Sequence, residues 1–246
     1  VVITFFGTKG GTGTTTIAVN CAADIHRLSH RSALIIDAKP GPGDVAVFLG
    51  LRPRYSIVEL IDQMGWTGRT LAQRYMTEHS SGMHVLAASE GFGRPNSRDA
   101  EGVERTIGCC ASLYDYVVID AGSTLSSSAV TALTAADLVV VVANPDLPCL
   151  RKMQRLSDAV RLAGVAPERT RVLLNRTSDQ GMLALTHIER VVGRPMDFQL
   201  TSDYRTVAAA LNAGVPISRL RVTELQLQLE SMARTLIGMH QAAAAS

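Results

Sequence analysis

Seven short apolar runs punctuate the chain, and a helical pattern follows nearly every one. The runs are 1–6 "VVITFF", 33–37 "ALIID", 83–87 "MHVLA", 116–120 "YVVID", 137–143 "DLVVVVA", 171–175 "RVLLN" and 196–200 "MDFQL". Several are almost unbroken Val, Ile and Leu. An unbroken run suits a strand covered on both faces, as in a parallel sheet. Helical patterns are read near 15–29, 56–64, 98–113, 126–135, 148–163, 183–192 and 203–213, with a last helix over about 222–238. The alternation predicts an α/β fold: a doubly wound, mostly parallel sheet of about seven or eight strands flanked by helices. At 246 residues, 46% of them hydrophobic, the chain is long enough for one such domain. No internal repeat or linker divides it. "GFGRPNSRD" at 91–99 reads as a loop, and the tail "QAAAAS" as frayed.

The first run leads into "FFGTKGGTGTTTIAVN", residues 5–20. Gly10, Gly11 and Gly13 allow a tight turn in which successive N–H groups point inward. Thr15 and Thr16 then open an apolar-striped helix, whose N-terminus adds partial positive charge. Strand, glycines and helix in this order make an anion-binding nest; the competing reading is a tight strand-to-helix turn without a ligand. A phosphate loop also carries a lysine for the β- and γ-phosphates, followed by a Ser or Thr hydroxyl for Mg²⁺. Thr14 stands where that lysine belongs.

"KGGTGTTT", residues 9–16, resembles K-G-G-x-G-K-[ST]-T, the deviant Walker A motif of the ParA/MinD (SIMIBI-class) P-loop ATPases. The resemblance puts Lys9 on the signature lysine, which reaches the phosphates across a nucleotide-sandwich dimer. It puts Thr14 on the ordinary loop lysine and Thr15 on the Mg²⁺ ligand. Residues 34–61 resemble the switch I region, 114–124 the Walker B strand and switch II, and 133–156 the next strand and helix. "VLLNRTS", 172–178, carries Asn175 where the family's adenine-contacting Asn sits. "SDYRTVAAALNAGVPI", 202–217, is similar to the family's late P-x-D…A…G-x-P segment, with Thr201 in place of the proline. The resemblance thus covers nearly the whole chain. It implies ATP or ADP with Mg²⁺, bound by Lys9, Gly10, Gly11, Thr12, Gly13, Thr14, Thr15, Thr16, Asn175 and Arg176, with Thr15, Asp37 and Asp120 at the metal. It also implies an isologous homodimer.

A narrower resemblance lies in "GDVAVFLGLRPRYSIVELI", "ANPDLPCLRKMQRL" and "NRTSDQG". These are similar to the TadZ/CpaE branch, localisation factors of Flp (tight-adherence) pilus assembly. The branch implies pilus-assembly or polar-localisation partners and a cytoplasmic protein recruited to a cell pole. Many of its members carry a receiver-like domain upstream, so residues 1–246 are read as a single domain of a longer chain.

Three departures bear on activity. Thr14 replaces the loop lysine. Lys39 replaces the second Asp of the family's D-x-D, which positions the attacking water. Switch II, "DAGST", keeps Asp120 and Gly122 but lacks the usual proline. Phosphoryl transfer depends on positioning and electrostatics. Losing the phosphate-binding charge and losing the water-orienting group would each slow it by roughly 10²–10⁴. The site is therefore read as a pseudo-ATPase that binds nucleotide with weak or absent hydrolysis, and no residue is assigned a catalytic role. Lys39 has two readings: a solvated loop lysine, or a cation that swings to the phosphates in place of the charge lost at position 14. Asp37 and Asp120 lie at strand ends facing the loop, where open α/β sheets bind ligands. Alternatively, either caps a following turn.

Three functions compete. One is a non-hydrolysing, nucleotide-responsive dimeric scaffold. Another is an active ParA/MinD-type ATPase that positions DNA or protein cargo. The third, an iron–sulfur reductase of related fold, needs a cysteine after each of two strands, which Cys109 and Cys110 do not provide. DNA binding is not expected: net charge is +2 and "RKMQR" is the only modest basic cluster. Direct membrane binding is not expected either, because "ELQLQLESMARTLIGMHQAAAAS" lacks a basic amphipathic face. The four cysteines, Cys21, Cys109, Cys110 and Cys149, are read as buried free thiols.

Overall fold

A computed structural model describes residues 1–39, 41–63, 72–89, 100–178 and 184–244, with side chains to residue 240. An eight-stranded sheet forms its centre. The strands are β1 (Val2–Gly7), β2 (Ala33–Asp37), β3 (Thr77–Glu78), β4 (His84–Leu86), β5 (Tyr116–Asp120), β6 (Leu138–Ala143), β7 (Thr170–Thr177) and β8 (Phe198–Thr201). Their order is β3-β4-β2-β5-β1-β6-β7-β8, parallel throughout except for β3, which runs antiparallel to β4. All seven expected strands form. The eighth, β3, has only two residues, too few to leave a periodic signal. The loop expected at 91–99 lies outside the described residues.

The apolar runs are unbroken because both sheet faces are covered. Every residue of β1 and β6 is buried. Ile3, Phe5, Ile35, Val118 and Val140 face one layer; Phe6, Ile36, Ile119, Val139 and Val141 face the other. Helix α1 (Thr14–Ser29) and the last helix, α9 (Glu224–Ala244), cover the first face. Between them in sequence come α2 (Val45–Phe48), α3 (Ile57–Gln63), α4 (Ala100–Leu113), α5 (Ser127–Thr134), α6 (Leu147–Leu162), α7 (Leu185–Val192) and α8 (Tyr204–Ala213). Helices α3 to α7 contribute to the core on the second face. Helix α9 extends past its expected end and through Ala244, into the segment read as frayed. Cys21, Cys110 and Cys149 are buried free thiols, whereas Cys109 is only half-buried.

Doubly wound sheets collect loops at the carboxyl ends of their strands. Here β1 lies between β5 and β6, so its loop emerges between theirs. Two bonds fix that exit: Gly7 N–H donates to Gly122 O at 2.7 Å and Thr8 N–H to Val142 O at 2.9 Å.

The apolar side of α9 is spent on the core. Leu225, Leu229, Met232, Ala233 and Leu236 are buried there, while Leu227 points outward, 55% exposed. Leu236→Ala should therefore cost about 2–5 kcal/mol in urea unfolding, through lost burial and a cavity. Leu227→Ala should change stability by less than about 0.5 kcal/mol. Equal, small effects would show that α9 is not docked through this face.

Candidate functional site

The loop from Thr8 to Gly13 joins β1 to α1. Gly11 (φ +79°) and Gly13 (φ +89°) take the left-handed backbone that favours glycine. Gly13 is also the N-cap of α1, and no side chain caps it. The first intrahelical bond runs from Ile17 N–H to Gly13 O, 3.0 Å. The N–H groups of Thr14, Thr15 and Thr16 thus have no helical acceptor and face the cavity at the helix mouth. That cavity, about 350 Å³, is lined by residues 9–16 together with Lys39, Asp44, Gly122, Ser123 and Arg176. Donors without helical partners, left-handed glycines and a positive helix end fit a polyphosphate.

Thr14 does not stand in for a lysine. It is 6% exposed, and its hydroxyl lies 3.0 Å from that of Thr12, which donates to Lys9 O at 3.0 Å. A Cβ on Gly7 would strike both threonine hydroxyls, so glycine at the end of β1 is required by this tuck. The loop's own cation, Lys9, is half-exposed and turned aside: its ammonium pairs with Asp146 at 3.1 Å. Asp146 also caps α6, accepting from Cys149 N–H at 3.0 Å. Sequence reading missed this partner, although an Asp two residues ahead of Pro148 is an ordinary helix-start signal.

Asn175 and Arg176 sit where the β7–β8 register shifts between Leu174 and Thr177, an irregularity that re-aims side chains. Arg176 has φ +58°. Asn175 is buried, and its amide donates to Thr12 O at 2.7 Å. A Cβ on Gly13 would come within 2.5 Å of that amide nitrogen. Both residues line a second cavity of about 390 Å³, with Thr16, Ile17, Tyr204 and Leu229 among its walls. Its mixed apolar and polar walls suit a flat heteroaromatic group. Asn20, not singled out from the sequence, joins this side to α1 by accepting from Ile217 N–H at 2.6 Å.

On the other flank, Asp37 and Asp120 are register partners at the ends of β2 and β5, both fully buried. Asp37 accepts from Val45 N–H at 3.1 Å and Lys39 N–H at 3.3 Å. Asp120 accepts from the Thr15 hydroxyl at 2.5 Å and from Gly122 N–H at 3.1 Å. Burial, then the neighbouring Asp120 charge, raises the Asp37 pKa to about 6. Burial likewise raises that of Asp120, against the opposing pull of Thr15 and Lys39. Lys39 lies among them with its side chain 18% exposed, which excludes the solvated reading. Its ammonium pairs with Asp44 and lies 3.5 Å from Thr15 Oγ1. Burial lowers the Lys39 pKa, but the bond to Asp44 and the Asp120 and Asp37 charges outweigh it, so the group is held cationic.

The three residues expected at a metal are therefore unequally placed. Thr15 and Asp120 meet directly, while Asp37 is engaged by backbone N–H groups and lines a neighbouring cavity with Gly43 and Tyr55. Among the described residues, no group of three or more His, Cys, Asp or Glu is arranged to hold a metal ion. An ammonium already faces the Thr15 oxygen, so a divalent cation does not fit this arrangement.

The Asp37 shift has a sign that can be measured. Folded, Asp37 titrates near 6; unfolded, near the ordinary value of about 3.9. The folded state holds the extra proton between these values, so the Asp37 contribution to stability falls as pH rises through that window. Asp37→Asn removes the titration. Relative to the parent, this variant should gain stability as pH rises through that window in urea unfolding. A pH-independent difference would contradict the raised carboxyl.

Known proteins share this fold. The AAA_31 family, described as an AAA domain, matches residues 1–166. The septum site-determining protein MinD of Thermotoga maritima is 24% identical over 248 residues, covering 96% of this chain and 88% of that protein. The crystal structure of a ParA family ATPase from Chlorobium tepidum superposes with a TM-score of 0.88 at 23% identity, covering 94% of this chain and 98% of that one. MinD of Pyrococcus horikoshii, solved with Mg-ADP, gives 0.83 at 18% identity, with 96% and 95% covered. The chain belongs to the AAA_31 family of AAA domains, and its fold is that of the ParA and MinD structures it superposes on.

Proposed function

We propose that this chain is a nucleotide-binding, dimer-forming scaffold or localisation factor whose hydrolytic machinery has degenerated. One observation carries the reading. At both positions where phosphoryl transfer needs a particular charge, the side chain is of the wrong kind and is fixed by its neighbours. Thr14 is tucked against Thr12, and Lys39 is anchored among Asp44, Thr15 and the strand-end carboxylates. A neutral hydroxyl does not neutralise phosphate, and an ammonium does not accept a proton from water. The ligand class is ATP or ADP, with the phosphates at the helix mouth and the base toward Asn175 and Arg176.

The family likeness is equally consistent with an active ATPase that positions DNA or protein cargo. The charges at positions 14 and 39 favour the inactive reading. A pilus-assembly role rests on the sequence patterns shared with the TadZ/CpaE branch. The packing of α9 supports the expectation that lipid is not a direct partner, since Leu225, Leu229, Met232, Ala233 and Leu236 are spent on the core and only Leu227 among its leucines is exposed. Among the described residues, no helix is long and apolar enough to cross a membrane. Dimerisation through the phosphate face is supported by half-exposed Lys9 and by Leu125 and Leu147. These two leucines, 50% and 41% exposed, follow the strands flanking β1.

Two measurements test the proposal. Sedimentation of the chain with excess ATP should show a dimer, and Lys9→Ala should weaken it; a strict monomer at high concentration would sink the dimeric reading. Phosphate release should stay near background, and turnover of about 1 s⁻¹ or more, ordinary for an enzyme, would refute the degenerate site. A double-mutant cycle separates the two lost charges. Thr14→Lys should tighten ATP binding about tenfold, or about 1.4 kcal/mol, without restoring turnover. Only Thr14→Lys combined with Lys39→Asp should release measurable phosphate, and the effects should be non-additive because both residues meet one ligand. Full turnover from Thr14→Lys alone would show that no carboxylate is needed at position 39.

A further inference from the structure

We infer that this site takes its nucleotide without a divalent metal, the Lys39 ammonium occupying the cation position beside Thr15. The inference deepens the nucleotide-binding reading and rests on it. It begins with the Thr15 hydroxyl, whose single proton is committed to Asp120 at 2.5 Å. Only lone pairs are left for the cavity, which is how a hydroxyl meets a cation. The cation 3.5 Å away is Lys39 Nζ. Beneath it, two buried carboxylates stand side by side on β2 and β5, and Asp44 closes the rim. This is an oxygen-rich corner at the edge of a phosphate cavity, the setting in which a hard divalent ion is bound. Here the corner holds a covalently tethered positive charge.

The tether is built in. A Cβ on Gly122 (φ +69°) would approach Lys39 Cγ to 2.8 Å, so the lysine stem lies against a residue that must be glycine both for backbone and for space. The side chain is largely covered. A divalent ion at Thr15 would be set against this ammonium, like charge against like, in a site where burial weakens screening. Displacing Lys39 to solvent would leave Asp37 and Asp120 without their nearest cation. The same ammonium lines the cavity shared with the loop N–H groups, so it is positioned to meet a phosphate oxygen directly.

The test is titration calorimetry of the whole chain with ATP, once in excess EDTA and once in excess Mg²⁺. The expected result is binding in EDTA at least as tight as in Mg²⁺. For Lys39→Met, which keeps most of the stem on Gly122 and removes the charge, affinity in EDTA should fall about tenfold or more, with Mg²⁺ now restoring it. Lys39→Arg should keep the parent's indifference to metal; it retains the charge and guards against a variant that fails to fold. Parent binding about tenfold or more tighter with Mg²⁺ would overturn the inference and leave the nucleotide-binding reading standing. Binding that is metal-independent in Lys39→Met as well would overturn the role given to Lys39. No binding under either condition would overturn both this inference and the nucleotide reading.

Discussion

Two carboxylates forced side by side, Asp37 on β2 and Asp120 on β5, set the terms for the rest of the site. Parallel register brings them together at the ends of adjacent strands, and the sheet buries both. Buried like charges require compensation, by protonation, hydrogen bonds or a cation. This chain uses all three means. Asp37 is shifted toward its protonated form, backbone N–H groups and the Thr15 hydroxyl reach in, and Lys39 supplies the positive charge. The cation in turn needs its own support from Asp44 and a glycine at 122 to lie against.

The fold delivers these groups by connectivity. Because β1 lies between β5 and β6, its glycine loop opens between the Asp120 turn and the Asp146 turn. The loop touches one side through Thr15 and the other through Lys9, two contacts opposite in kind. Thr15 meets Asp120 and Lys39 in a covered corner, whereas Lys9 and Asp146 form an exposed pair of the sort that contributes little to stability. An exposed pair exchanges partners easily, which leaves Lys9 available to an anion on the same face. The site therefore combines a fixed cation inside and a movable one at the rim.

Much of this could be read from the residues. Unbroken Val/Ile runs such as "LVVVVA" carry enough signal to place a doubly covered strand, and the glycine loop marks where a ligand would sit. Elements of two or four residues, β3 and α2, leave no periodicity to find. Positions 14 and 39 were legible as departures in charge, but their conformations were not. The solvated reading of Lys39 follows from a Pro/Gly-rich neighbourhood. What covers the side chain is Gly122 and Thr15, distant in sequence and brought close by the β2–β5–β1 order. The Lys9–Asp146 pair is hidden for the same reason, its partners lying 137 positions apart. The family resemblance marks Asn175 as a base contact; what the structure shows is its amide bracing the loop carbonyl of Thr12, which depends on a strand irregularity that sequence pattern does not reveal.

In the proposed function, a catalytic phosphate site has become a binding site with a cation of its own. A crystal structure grown with ATP and Mg²⁺ tests this most directly. The expected result is a triphosphate along residues 10–16, the Lys39 ammonium within hydrogen-bond distance of a phosphate oxygen, and no octahedral ion at Thr15. A nucleotide whose phosphates are bridged to Thr15 by Mg²⁺, with Lys39 turned out to solvent, would contradict it.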